Sequence, residues 1–345
     1  MRAAVLRAYR EDLSLEEVPE PACPEDGVVL RVIACGVCRS DHHGWSGEHP
    51  RVKPGQIQGH EYCGEVVEAG PQARHRPGAL LVAPFILACG DCPACLSGAS
   101  NTCAHQRLPG FVEPGAFAEY VAVPFDHNLA PLPEGLAPAL AAGLGCRVTT
   151  AWHALTGRAA LGAGEWLAVH GAGGIGIAAL VLARAMGARV IVTDVVPEKL
   201  AQARAAGAEA ALDAREGGAA ERIVELTGGG VHVALDALGA PETVAASLAC
   251  LRPLGRHVQV GMPVGHTARM EIDMSAVYMK NLALFGTRGM PAHRFPSLLG
   301  LVESGRVDLA PMMPREIALS GVSAELHAMN GPTPPGVAVV TDFAG

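Results

Sequence analysis

The sequence predicts an α/β protein in two parts, an irregular β domain followed by a doubly wound parallel sheet with helices on both faces. Three observations predict it. Residues 1 to about 130 are rich in Pro and Gly, with only short β-branched runs. From about residue 147, short apolar runs alternate with helix-like stretches. Where the first of these runs meets its helix stands Gly171-Ala172-Gly173-Gly174-Ile175-Gly176.

The bulk numbers allow this division. A chain of 345 residues is too long for one ordinary core and suits two. Half of it is apolar, while aromatics are only 4%, so Ala and Gly must carry tight helix–sheet packing. Lys and Arg number 26 against 34 Asp and Glu, a formal charge of −8. That balance excludes a general nucleic-acid binder and a binder of anionic membranes. No signal-length apolar run opens the chain and no membrane-length run follows, so a cytoplasmic protein is expected. Ten cysteines at short spacings read as metal ligands rather than disulfides.

In the first part, strands are expected at 28–33, 63–68, 80–83 and 117–123, separated by turns. In the second, they are expected at 166–170, 190–193, 210–212, 231–236, 257–260 and 282–285. Helices are expected at 175–186, 198–206, 219–227 and 242–251. From about Phe295 one more helix-like run appears, after which the alternation is lost.

The glycine run has the context that a dinucleotide fingerprint requires: a strand before it, a helix after it, and Asp194 at the end of the next strand, 18 positions beyond Gly176. Gly171 permits the tight turn, Gly173 lets backbone approach a pyrophosphate, and Gly176 allows close helix–strand packing. The free N–H groups at the helix start face the phosphates. Asp194 can accept from the adenosine ribose hydroxyls and would repel a 2′-phosphate. Val195 and Val196 follow it and no Arg does, so NAD is expected rather than NADP.

Cys89, Cys92, Cys95 and Cys103 follow a C-x2-C-x2-C-x7-C spacing, which can converge tetrahedrally on one structural zinc. Four cysteines can also hold an iron–sulfur cluster, although the last interval departs from the ferredoxin run. A second group is dispersed: Cys38, His60 and Cys146. A Cys–His–Cys set is a known catalytic zinc set with a fourth position open. Spacing alone leaves the alternative standing, because a buried Cys is more often a small hydrophobe.

These residues resemble the zinc-dependent medium-chain alcohol dehydrogenases over nearly the whole chain. The anchors are Cys38-Arg39-Ser40-Asp41 with His43, Gly59-His60-Glu61 leading to Gly64-Glu65-Val66, the four-cysteine lobe, Cys146 and the glycine loop, in the family's order. The resemblance implies a GroES-like catalytic domain from residues 1–147 and 295–345, and a Rossmann NAD-binding domain from 148–294. It implies two zincs per subunit, one catalytic on Cys38, His60 and Cys146 and one structural on the four-cysteine lobe.

It also implies roles by position. Asp41 would fix the tautomer of His60, and Glu61 would lie beside the metal. Ser40 would bond the substrate oxygen, and the proton would leave by way of the nicotinamide ribose and His43. Arg39 would reach the pyrophosphate, Thr150 the nicotinamide and Lys199 the adenosine ribose. Phe85 would line the alcohol pocket, with Trp45 and His49 bordering it. Cys35 is expected to be a packed thiol and His42 an exposed polar residue. Cys23, Cys63 and Cys250 belong to no motif. Arg147 follows Cys146 where the family is often smaller or apolar. The implied partner is a primary or secondary alcohol or its carbonyl, with neither nucleic acid nor membrane, in a homo-oligomer, a tetramer rather than a dimer. A polyol dehydrogenase is a rival, but it usually carries Glu where Cys146 stands. A non-catalytic nucleotide-binding scaffold is another, though it would have no use for Ser40 and His43.

Overall fold

A computed structural model describes residues 1–345. Six parallel strands form one sheet in the spatial order Ala210–Asp213, Arg189–Asp194, Trp166–His170, Val231–Asp236, Leu251–Gln259, Ala283–Gly286. Numbered within the sheet this is 3-2-1-4-5-6, the doubly wound dinucleotide-binding order. Its strand order reverses between Trp166–His170 and Val231–Asp236, and a crevice opens beyond their carboxyl ends. Helices Gly174–Ala185, Pro197–Ala205, Ala219–Thr227 and Pro241–Ala249 cover the sheet. Ala and Gly on Gly174–Ala185 let that helix lie close. A Cβ on Gly176 would fall 1.9 Å from the Gly171 carbonyl oxygen, so only glycine fits.

The second sheet is built mainly from the first third of the chain. Its order is Pro314–Ala318, Val337–Asp342, Val28–Gly36, Glu61–Ala69, Leu80–Ala83, Ala130–Pro131, with Tyr120–Val123 also pairing Val28–Gly36. The long central pair, Val28–Gly36 with Glu61–Ala69, is antiparallel and twice bulged. Bulges bend a strand and re-aim its side chains. The apolar residues form two large clusters, one within the second sheet and the other on the first sheet, reaching across to Ala34, Cys63, Val82, Ala130 and Val339 of the second.

The C-terminal segment corrects the expectation that alternation ends after the helix Phe295–Glu303. Pro314–Ala318, the helix Val322–Ala328 and Val337–Asp342 form a β-α-β unit whose strands pair in parallel. Its outer strand, Pro-Arg-Glu-Ile-Ala, lies at the sheet edge with polar side chains, which hid it from an apolar pattern. Val337–Asp342 then pairs antiparallel with Val28–Gly36, returning the chain to the first sheet. No helix is long and apolar enough to cross a membrane.

Candidate active site

Cys38 ends the loop after Val28–Gly36 and caps the seven-residue helix Arg39–Trp45. Asp41, in its first turn, reaches back to accept from the Cys38 N–H at 2.9 Å. The same buried carboxylate accepts from His60 Nδ1 at 3.0 Å and the Gly59 N–H at 3.2 Å. This bond puts the His60 proton on Nδ1 and leaves Nε2 bare, pointing away from Asp41. Nε2 is buried and has no partner.

Cys146 comes from the turn before the helix Arg147–His153. Cys38, His60, Glu61 and Cys146 each offer a ligand atom, and these atoms lie within 4.8 Å of one another. The bond to Cys146 and the neighbouring His60 hold the Cys38 thiol well below its ordinary pKa, against burial. Burial disfavours a charged His60, but Asp41 and Cys38 outweigh it and raise its pKa. The set therefore holds a thiolate beside an imidazole whose Nε2 aims at the same point, and a cation bound there would take the place of the proton that the raised pKa favours on Nε2. These donors fit a zinc ion with one position left open.

Cys89, Cys92, Cys95 and Cys103 converge in a separate lobe. Their sulfurs are 3.4 Å apart for Cys89–Cys103, 3.5 Å for Cys92–Cys95, 3.7 Å for Cys92–Cys103 and 3.9 Å for Cys89–Cys95. Zinc–sulfur bonds of about 2.3 Å in a tetrahedron put sulfurs roughly 3.8 Å apart. A disulfide would bring them to about 2 Å, and an iron–sulfur cluster would spread them around its own atoms. The spacing fits a single tetrahedral ion.

Cys38, His60 and Cys146 line a cleft of about 890 Å³ between the two sheets. Ser40, His43, His49, Phe85 and Thr150 line it, as do Arg39 and Ile175. Ser40 Oγ is 3.9 Å from Cys38 Sγ. His43 Nδ1 bonds Glu48 at 3.0 Å. Thr150 Oγ1 is buried without a partner. Over the glycine loop, a Cβ on Gly173 would meet nothing within 4 Å, and no side chain caps the helix that begins at Gly174. The loop thus presents free N–H groups to open space, a cradle fit for a phosphate.

Asp194 is engaged within the chain. Its carboxylate accepts from Ala172 N–H at 2.7 Å, Val195 N–H at 2.8 Å and Val196 N–H at 2.9 Å, tying the glycine loop to the neighbouring strand end. Lys199 donates to Thr333 Oγ1 at 2.9 Å, a contact with the returning C-terminal segment. Arg39 donates to the Met329 carbonyl of the same segment.

Two expectations are corrected. Trp45 does not border the pocket: it is buried, donates to the Glu11 carbonyl at 2.6 Å and packs edge-on against His327. Its helix faces the core on that side. His42 is not exposed: it is buried and bonds Asn330 Oδ1 at 3.0 Å. Cys35 is a packed thiol in Val28–Gly36.

Several site residues escaped the sequence reading. Phe111 stacks on His49 at 4.8 Å and tilts against His60 at 4.6 Å. Arg288 stands over Phe85. Neither belongs to a spaced motif. Arg147 stands where the family is often smaller or apolar, and no motif marks its role. Its buried guanidinium pairs with buried Glu61 and donates to the Val37 carbonyl at 3.2 Å. It also lies against Gly174, so one side chain ties the metal-side carboxylate to the glycine loop.

Family models agree with this geometry. Residues 24–134 match the alcohol dehydrogenase GroES-like domain, and residues 174–304 match the zinc-binding dehydrogenase domain. An alcohol dehydrogenase of Geobacillus stearothermophilus is 35% identical over 267 residues, 76% of this chain and 78% of the relative. Among solved structures, alcohol dehydrogenase TADH from Thermus sp. ATN1 superposes with a TM-score of 0.91 at 28% identity, over 99% of this chain and 100% of that one. A protein of Sinorhizobium meliloti 1021 described as a zinc-binding dehydrogenase, solved bound to NADP, gives 0.87 at 30% identity over 98% of each chain. With a GroES-like domain on one side of the cleft and a Rossmann-like sheet on the other, this chain belongs to the zinc-type medium-chain alcohol dehydrogenase family.

Proposed function

We propose that the protein is a zinc-dependent, NAD-linked dehydrogenase that interconverts a primary or secondary alcohol and its aldehyde or ketone. The observation that carries this reading is the convergence of Cys38, His60, Glu61 and Cys146, with His60 Nε2 bare, at the floor of the cleft that the glycine loop borders. Cys38, His60 and Cys146 would hold the catalytic ion, and Cys89, Cys92, Cys95 and Cys103 a structural one. When bound, zinc supplies a Lewis acid that makes the substrate hydroxyl a stronger acid, and NAD supplies the hydride acceptor. The domain division follows the same reading, with 1–147 and 295–345 forming the catalytic part and 148–294 the cofactor part.

The chain's own residues would do the rest. Ser40 can accept the hydroxyl proton and donate its own onward, because one hydroxyl serves both roles. Glu48 accepts from His43 Nδ1, which leaves Nε2 as the acceptor at the partly open end of the cleft. Thr150 Oγ1 and the loop N–H groups would orient the cofactor, and Phe85 and Phe111 exclude water from the reacting end.

His43→Gln keeps bulk and a polar end but cannot carry a proton. Turnover is expected to fall about tenfold, less than the ~10²–10⁴ of a directly acting acid–base group. Most of the loss should come at low pH, where solvent base is scarce. An unchanged pH–rate profile would count against the relay.

The preference for NAD rests on Asp194, whose charge opposes a 2′-phosphate. Asp194→Asn is expected to raise KM for NAD about tenfold, roughly 1.4 kcal/mol, and to narrow discrimination against NADP. Steady-state kinetics with both cofactors measure this, and an equal loss with both would remove the charge argument. The proposal as a whole is tested by metal analysis together with NAD reduction over a panel of alcohols. Zinc-bound protein that reduces NAD with none of them would refute it.

A further inference from the structure

The chain carries a net charge of −8, yet no carboxylate lines the cleft, while Arg39, Arg158 and Arg288 all do. Acids bonded to or adjacent to lining residues are engaged, Glu61 with Arg147, Glu48 with His43 and Asp41 with His60. Arg39 serves the end near Lys199 and the C-terminal segment. Arg288 stands at the other end. Its guanidinium carbon is 5.8 Å from the centre of the Phe85 ring, and that ring meets His60 edge-on at 5.9 Å. One phenyl ring therefore separates this cation from a zinc-ligand candidate.

Arg288 has no acidic partner. One of its N–H groups donates to Gln106 Oε1, and Asn101 holds its backbone carbonyl at 3.1 Å. Burial in the cleft and the positive charge of Arg51 pull its pKa down, and only the Cys146 thiol, no carboxylate, opposes them. The remaining donors of its planar fork are free. Such a fork matches a carboxylate with two parallel hydrogen bonds. His49, which lines the cleft next to Arg51, is pushed to about 4 by burial, then by His60 and Arg51, so it stays neutral and adds no competing charge.

We infer that the substrate is an anionic alcohol, a hydroxy acid or the matching oxo acid, whose reacting carbon lies at the Cys38–His60–Cys146 set and whose distal carboxylate is bound by Arg288. The apolar stretch between would lie along Phe85 and Phe111. This rests on the dehydrogenase reading above.

The experiment compares 6-hydroxyhexanoate with 1-hexanol, and 4-hydroxybutyrate with 1-butanol, in the zinc-loaded enzyme and in Arg288→Gln and Arg288→Lys. For the wild type, kcat/KM is expected to favour at least one hydroxy acid over its neutral partner by about tenfold or more. The ratio should fall to near one in Arg288→Gln and be partly kept in Arg288→Lys, which retains charge without the fork. Alcohols oxidised with no preference in the wild type would overturn the inference while leaving the dehydrogenase reading intact. So would a preference that survives Arg288→Gln, or a rise in KM for NAD as the variant's only change, which would assign the guanidinium to the cofactor. Should no alcohol be oxidised at all, the dehydrogenase reading fails and calorimetric titration with hexanoate and hexanamide decides the subsite. Tighter hexanoate binding lost in Arg288→Gln supports it, and equal binding of the two overturns it.

Discussion

Replacing His60 with alanine is expected to lower kcat by about 10³-fold or more, since several kcal/mol of charge stabilisation leave with the ion. Zinc should fall to one equivalent per chain, that of the four-cysteine lobe. The loss follows from the site's construction. Asp41 fixes the His60 proton on Nδ1, and Nε2 has no other partner to serve. The substitution also strands a buried carboxylate, so Cys38→Ala provides an independent check that leaves the Asp41–His60 bond in place. Both variants should keep the circular dichroism of the parent and lose turnover. Either one retaining parental turnover with unaltered zinc content would show that the set is not the reaction centre.

Arg147→Met is expected to cost stability of about 3–5 kcal/mol at alkaline pH, because it removes the partner of the buried Glu61 carboxylate; burial already pushes Glu61 up to about 7, so the loss should shrink as the pH falls and Glu61 takes a proton. The double variant Glu61→Gln with Arg147→Met should recover a large part of that loss, since an uncharged amide has a smaller desolvation penalty. Urea unfolding of the parent, the two single variants and the double variant gives the coupling energy directly. A coupling near zero would mean that the pair contributes nothing to stability and that Arg147 matters only through its bulk against Gly174. The pair is of interest because it joins residues 86 apart in sequence and spans the boundary between the metal side and the cofactor side.

What was legible in the sequence was what local chemistry enforces. Trp166–His170 and Val231–Asp236 lie where apolar runs placed them, because strands buried on both faces must be apolar throughout. The helix Ala219–Thr227 likewise follows its periodicity. The glycine loop and the four-cysteine lobe are short-range motifs, and each closed as its spacing suggested. What was hidden depends on contacts across the fold. Pro314–Ala318 is an edge strand with few apolar residues. Trp45 could face cleft or core, and only the packing of Val322–Ala328 against its helix decides it. His42 and His43 are adjacent on one helix, so a helical turn of 100° sends one to Asn330 and the other to the cleft. Arg147 and Arg288 are single charged residues whose meaning lies in partners far along the chain: Glu61 for the first, and for the second the absence of any acid nearby. A sequence pattern records neither.

Anomalous diffraction at the zinc absorption edge, from crystals of the purified protein, tests the central claim most directly. The account predicts two peaks per chain, one among Cys89, Cys92, Cys95 and Cys103 and the other among Cys38, His60 and Cys146. A catalytically active crystal with a peak only in the four-cysteine lobe would contradict it.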